Sequence, residues 1–149
     1  SKDVELDFDF DQIKEKTKEN PVFYVQYAFA RINSLYRALN ISLDSNIILN
    51  KENFELNEPE EKIIRKIFEW PKIIESASKK FEIHKIPFYL YELSTLFHSY
   101  WSKGNEDKKF KFIENEKIKR VEILAVINLV KIVLKNGMDI LGVSLPKKM

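Results

Sequence analysis

Four of the five prolines stand at the head of an uninterrupted, helix-periodic stretch, and this spacing constrains the fold more than any other feature. Proline has no backbone N–H and a fixed φ, so it suits the first turn of a helix and breaks an interior. Asn20–Pro21 is the strongest such start, since Asn is a good N-cap. From there PVFYVQYAFARINSLYRAL runs without a breaker to Leu39. At about 100° per residue, Val25, Ala28, Phe29, Ile32, Tyr36 and Leu39 fall on one broad face, the expected core stripe. Asn57–Glu58–Pro59 opens the next stretch, with Ile63, Ile64, Ile67, Phe68 and Trp70 as its apolar stripe. Trp70–Pro71 forces a break, because the residue before proline avoids the helical region. A further helix is expected from Pro71 to Phe81.

Residues 84–103 read as another helix, with Pro87 in its first turn and Leu90, Leu93, Leu96, Phe97 and Tyr100 on its inner side. The last long helix is expected over 116–135. Its centre, VEILAVINLVKIVL, is apolar most of the way round and is expected to sit centrally. Asn136–Gly137 reads as its C-terminal stop, with one further turn, MDILG, before the tail. Residues 3–10 alternate as a short extended lead-in, followed by a short helix through Glu19. Residues 40–57 and 104–115 read as loops. The expectation is an all-α bundle of about six helices, one domain over residues 1–149.

Composition narrows the chemistry. With 44% hydrophobic and 13% aromatic residues the chain can bury a real core, so a folded domain is expected. There is no Cys, which excludes disulfides, thiol catalysis and Cys-ligated metals. The glycines are Gly104, Gly137 and Gly142, so no glycine-rich phosphate cradle exists. The two histidines, His84 and His98, are fourteen residues apart on one expected helix, which at about 1.5 Å rise per residue puts roughly 20 Å between them. They cannot share a metal. Glu60–Glu61 and Glu106–Asp107 read as helix-start or loop charges, so no catalytic residue and no metal site are assigned. No apolar run reaches the length of a membrane span and no signal peptide is visible, so a cytoplasmic monomer without membrane contact is expected. Ser1, with no initiating Met, reads as the cut end of a longer protein.

Net charge is only +2, yet it is unevenly spread. Residues 1–19 hold four Lys against seven Asp/Glu, whereas residues 101–149 hold eleven Lys/Arg against six Asp/Glu. The basic end permits an anionic partner, and solvated helix faces alone would also account for it. Only four of the basic residues are Arg: Arg31, Arg37, Arg65 and Arg120. In so Lys-rich a chain a retained Arg is informative.

Beside the core stripe of the first long helix, Tyr24, Tyr27, Arg31 and Ser34 are spaced by three, four and three and share a second face. Two aromatics and an Arg at the solvent edge form a platform on which unpaired bases can stack. An ordinary amphipathic helix with half-buried tyrosines and Arg31 in an ion pair fits the same periodicity. Gln26 lies about 100° from Tyr27 and geometry does not bring it to the platform.

NPVFYVQYAFARI resembles the N-P-V-Y-Y-V-Q-Y-A-H-A-R block of the anticodon-binding domain of class I arginyl-tRNA synthetases. LDFDFDQIKEKTKENP, EPEEKIIRKIFEWPKIIESA, FYLYELSTLFHSYW and VLKNGMDILGVSLPKKM are similar, in order, to further blocks of that domain. The resemblance spans nearly the whole chain outside residues 40–57. It implies a helical bundle of the class I synthetase anticodon-binding type, cut from the C-terminal end of a parent enzyme. That parent would ligate arginine to tRNA using ATP and Mg in an upstream catalytic domain whose HIGH-type and KMSKS-type signatures do not occur here. No cofactor is expected in this domain. The implied partners are arginine-tRNA isoacceptors, through the anticodon stem-loop, and the upstream domain.

Residue by residue, the resemblance assigns anticodon contacts to Tyr24, Gln26, Tyr27, Arg31, His98, Trp101 and Met149. Phe29 stands where the family has His and reads as a packing change. Trp101 stands where the family has Tyr, keeping a stacking surface and losing a hydroxyl. For His98 a satisfied polar residue on a helix edge is an equal alternative. Lys108, Lys109, Lys111, Lys147 and Lys148 are expected to attract phosphates. Two other readings remain: the helical module of another class I synthetase such as the cysteinyl enzyme, against which the Y-V-Q-Y and terminal blocks argue, and a helical protein–protein adaptor without RNA binding, using Tyr24, Tyr27 and Trp101 as a hot spot.

Overall fold

The computed structural model describes residues 20–42, 53–146 and 148–149. The expected lead-in and short helix before Asn20, most of the 40–57 loop, and Lys147 lie outside the described residues. Among those described there are five α-helices: α1 (Pro21–Ala38), α2 (Glu58–Phe68), α3 (Trp70–Lys80), α4 (Lys85–Glu106) and α5 (Val121–Ile140). A 3-10 turn (Lys108–Phe110) and a two-stranded hairpin, β1 (Ile113–Glu114) with β2 (Lys117–Ile118), join α4 to α5. The helical bundle is as expected, with five helices described rather than about six.

The start signals act as their chemistry requires. The Asn20 side chain accepts from the N–H groups of Val22 and Phe23 at 3.0 and 3.2 Å. Asn57 and Glu60 form a reciprocal capping box, each side chain accepting from the other's backbone N–H at 2.9–3.0 Å. The bend between α2 and α3 falls at Glu69, ahead of the expected Trp70–Pro71 step. Pro71 cannot donate to the Ile67 carbonyl and its ring crowds it, so the ladder fails one turn before the proline. Phe68, expected in the α2 stripe, is 79% exposed. It stands about 140° round the helix from the buried Ile63.

The core is built by α1, α4 and α5, with α2 and α3 laid across α4. Val25, Ala28, Phe29, Ile32 and Tyr36 of the expected stripe are buried, as are Leu90, Leu93, Phe97 and Tyr100 of α4. Phe29 is thus a packing residue. Helix α5 packs against α1, α2 and α4, yet leaves Leu129, Ile132 and Ile140 on an outer face.

Three boundaries depart from expectation, the first being that α4 runs through the expected loop start at Gly104 to Glu106. Residues 113–118, expected as loop and helix start, form the hairpin, with Asn115 and Glu116 both at positive φ in its turn. Helix α5 therefore starts at Val121 and runs through Asn136–Gly137 to Ile140. Gly137 is no stop: a Cβ there would lie 2.6 Å from Leu90 Cδ2, so the glycine lets α4 and α5 approach. The stop comes at Gly142, φ +69°, where Gly142 N–H donates to Asp139 O and Val143 N–H to Met138 O. Asn40, φ +53°, closes α1 in the same way.

One polar node is buried with the core. Glu60, with no exposed surface, accepts from both Arg120 amino groups and from the Tyr100 hydroxyl. Arg120 also donates to the Glu55 carbonyl. Glu60 is more than the helix-start charge it resembles in sequence.

Candidate nucleic-acid interface

The first-helix platform meets α4 between Tyr91 and Ser102. Arg31 is half-buried at the centre. Its Nη2 donates to the Tyr27 hydroxyl at 2.9 Å and its Nη1 lies 3.1 Å from His98 Nδ1. The guanidinium carbon stands 4.4 Å from the Tyr27 ring centroid and 5.4 Å from that of Trp101. Among the described residues no carboxylate pairs with Arg31, so the ion pair of the plainer reading is not what holds it. Arginine stays charged at any ordinary pH, and its flat, weakly hydrated fork suits stacking and bidentate contacts to phosphate or base edges.

Around it, Tyr24 packs against His98 at 4.4 Å and Tyr91 at 5.1 Å. Burial holds the Tyr24 phenol above its usual pKa, reinforced by Tyr91 and opposed by Thr95 and Arg31. It therefore remains a neutral donor and acceptor. Tyr27 stacks on Phe23 at 6.3 Å and is more than a third exposed. Tyr24, Tyr27, Arg31 and His98, with Thr95, Ser99 and Ser102 of α4, line an open hollow of about 250 Å³. Its floor is aromatic and its rim carries hydroxyls and one cation. Thr95, Ser99 and Ser102 were not singled out from sequence as site residues. Their three- and four-residue spacing on the helix that carries His98 is the signal.

Trp101 does not line this hollow and joins the cluster through Arg31. It meets Phe97 at 6.0 Å and Phe112 edge-on at 5.4 Å. With Leu35, Gly104, Lys111 and Phe112 among others it lines a second hollow of about 170 Å³.

The remaining expected residues divide. Gln26 donates from Nε2 to the Ser144 carbonyl at 2.8 Å, holding the C-terminal tail rather than joining the arginine cluster. Ser34 accepts from Arg37 at 2.8 Å. Met149 is half exposed, and no contact among the described residues joins it to the cluster. Lys108, Lys109 and Lys111 are exposed just beyond α4. Lys109 pairs with Asp107 at 3.4 Å, and the Lys109 N–H holds the Asp107 carboxyl below its usual pKa. Lys148 is exposed near the chain end.

Fold and site together define a small helical domain built around an aromatic–arginine face. Residues 25–149 match the family model of the DALR anticodon binding domain, and the chain belongs to that family. The arginine–tRNA ligase of Pelagibacter ubique is 48% identical over 149 residues, covering 100% of this chain and 26% of that protein. That of Ruegeria pomeroyi is 42% identical over 153 residues, covering 99% of this chain and 26% of its own length. A solved structure described as a putative arginyl-tRNA synthetase from Campylobacter jejuni aligns with a TM-score of 0.76 and 25% identity. It covers 95% of this chain and 29% of that one. The chain thus spans about a quarter of the length of the curated relatives it matches.

Proposed function

We propose that this chain is the anticodon-reading domain of an arginine–tRNA ligase, and that its Tyr24–Tyr27–Arg31–Trp101 face takes the unstacked bases of the anticodon loop. The observation that carries the reading is Arg31, a cation set between two aromatic rings with neutral hydrogen-bond partners and no described carboxylate. Sequence-specific RNA reading targets splayed loop bases, because the A-form major groove is too narrow for side chains. Aromatic faces supply the stacking and Arg31 the hydrogen bonds and charge.

Lys108, Lys109, Lys111, Lys147 and Lys148 add salt-dependent attraction for phosphates. Gln26 and Met149 serve the anticodon contact through the C-terminal tail, Gln26 by holding Ser144. The tRNA partners are arginine isoacceptors. Arginine activation with ATP and magnesium belongs to an upstream catalytic domain to which this domain is joined, in a monomeric cytoplasmic enzyme. The described residues contain no cluster of three His, Asp or Glu side chains able to hold a metal, and no helix long and apolar enough to cross a membrane.

The test is binding of the 149-residue chain to an arginine-tRNA anticodon stem-loop and to one with an altered middle base. Weak but base-dependent binding is expected. Tyr27→Ala should cost about 1–3 kcal/mol with the circular dichroism spectrum unchanged. Equal binding to both stem-loops, or an unaffected Tyr27→Ala chain, overturns the reading in favour of an adaptor without RNA specificity.

A further inference from the structure

We propose that His98 is a positioning residue that fixes the orientation of Arg31, and that protonation of His98 releases Arg31 from the site. The proposal rests on the RNA-binding reading of the face and gives it a pH dependence. His98 is 6% exposed, its ring set between Tyr24 at 4.4 Å and Tyr27 at 5.3 Å, with Phe97 at 5.7 Å. Both ring nitrogens are committed. A guanidinium has five N–H donors and no acceptor, so Arg31 donates and His98 Nδ1 accepts. The Tyr24 carbonyl, 3.2 Å from Nε2, only accepts, so Nε2 carries the proton. Neither partner can reverse its role, which assigns the tautomer.

The consequence is mechanical. His98 links the α1 backbone at Tyr24, through α4, to the side chain of Arg31 about two helical turns away. With Nη1 held by His98 and Nη2 by Tyr27, the guanidinium plane is fixed at two points between Tyr27 and Trp101. Three of its five N–H donors remain for other partners. A ring so buried, with both nitrogens engaged, acts on RNA through Arg31.

A second proton on the ring would sit on Nδ1, turning the acceptor that faces Nη1 into a donor and opposing two cations across 3.1 Å. That contact cannot persist once the ring is charged. Among the described residues, the titratable and charged groups packed about the ring are Arg31, Tyr24 and Tyr27 from α1, with Tyr91 from α4 behind Tyr24.

The experiment uses the 149-residue chain, an arginine-tRNA anticodon stem-loop, and nitrogen NMR of the imidazole. The free chain near neutral pH should show the Nε2–H tautomer. Stem-loop affinity should fall about fivefold or more over whatever pH range the nitrogen shifts show His98 taking its second proton. His98→Gln offers an amide oxygen to Arg31 without titrating. It should bind within about threefold of the unsubstituted chain above that range and lose the pH-dependent fall. His98→Phe keeps a ring and loses the acceptor, and should bind about tenfold more weakly across the range.

An Nδ1–H tautomer, an affinity that holds or rises as the ring gains its second proton, or a His98→Phe chain equal to the unsubstituted one overturns the proposal. A chain that binds no stem-loop at any pH overturns the RNA reading and the role of His98 with it. The tautomer then still reports separately on the Arg31 contact. Should His98→Phe fail to fold, the spectrum and the His98→Gln profile decide.

Discussion

Glu60 and Arg120 form a two-pronged ion pair, Nη1 to Oε1 at 3.2 Å and Nη2 to Oε2 at 3.1 Å, that ties the first turn of α2 to the residue capping α5. The carboxylate is fully buried and also closes its own helix cap, while the guanidinium is about one-third exposed. Removing a partner of a buried pair is costly because the charge left behind has lost both water and its counter-charge. Arg120→Met should therefore lose about 3 kcal/mol in urea unfolding, toward the low end for buried pairs given the exposed guanidinium edge. The double change Glu60→Met with Arg120→Met should lose less than the sum of the two single changes. Additive losses would show that the pair contributes no coupling.

Gly137 is a spacing residue, and alanine there should destabilise despite its better helix propensity. A methyl group would meet both Leu90 δ-carbons, at 2.6 and 2.7 Å. Overpacking of this kind costs about 1–3 kcal/mol, against a propensity gain of about 1 kcal/mol. Thermal unfolding should show a lower midpoint for Gly137→Ala. Adding Leu90→Val should recover part of it by withdrawing the clashing carbon.

Three phenols set an alkaline limit. Burial pushes Tyr36 up to about 12, and burial is also the main cause of the upward shifts at Tyr89 and Tyr100. A group whose pKa is raised in the folded state contributes stability that is complete below its unfolded value, about 10, and is lost as pH climbs through the folded value. Stability should be flat with respect to these groups below about pH 9 and fall between about 10 and 12. Tyrosinate absorbance measured beside circular dichroism checks this, with the buried phenols ionising only as helix is lost. Tyr36→Phe should move the alkaline limb to higher pH.

The tail contact is local. Gln26→Ala removes one exposed hydrogen bond to Ser144, with a net worth of about 0.5–1.5 kcal/mol. Trypsin should then remove the C-terminal residues about three- to tenfold faster, with the global unfolding midpoint unchanged. An equal cleavage rate would mean that other contacts hold the tail.

What could be read from the sequence was what depends on near neighbours. Asn20–Pro21 and Asn57–Pro59 announce helix starts because caps act within three residues, and the stripe from Val25 to Tyr36 announces a buried face because 3.6-residue periodicity is local. The platform of Tyr24, Tyr27 and Arg31 was legible for the same reason. The Arg31–His98 contact spans 67 positions, and only the packing of α1 on α4 creates it. Glu60 was half legible: the Asn57-x-x-Glu60 spacing is a capping box, but its pairing with Arg120, 60 residues on, is not a local property. The 113–118 hairpin was missed because Asn–Glu is a poor signal for a turn with two positive φ angles, where Asn–Gly is the common pair. Gly137 misled because glycine suits both a helix stop and a close crossing, and only Leu90 distinguishes them.

Gly137 and Gly142, five positions apart, exclude side chains for opposite reasons. At Gly137 the backbone is ordinary right-handed helix and the obstacle is matter, the Leu90 methyl groups. At Gly142 nothing stands within 4 Å of the point a methyl group would occupy, and the obstacle is handedness, since φ is +69°. A chain made by chemical synthesis with D-alanine at 142 should keep the reversal that brings Ser144 back to Gln26, whereas L-alanine strains it. The end of the chain is aimed at the first helix by a mirror-image step of a single residue.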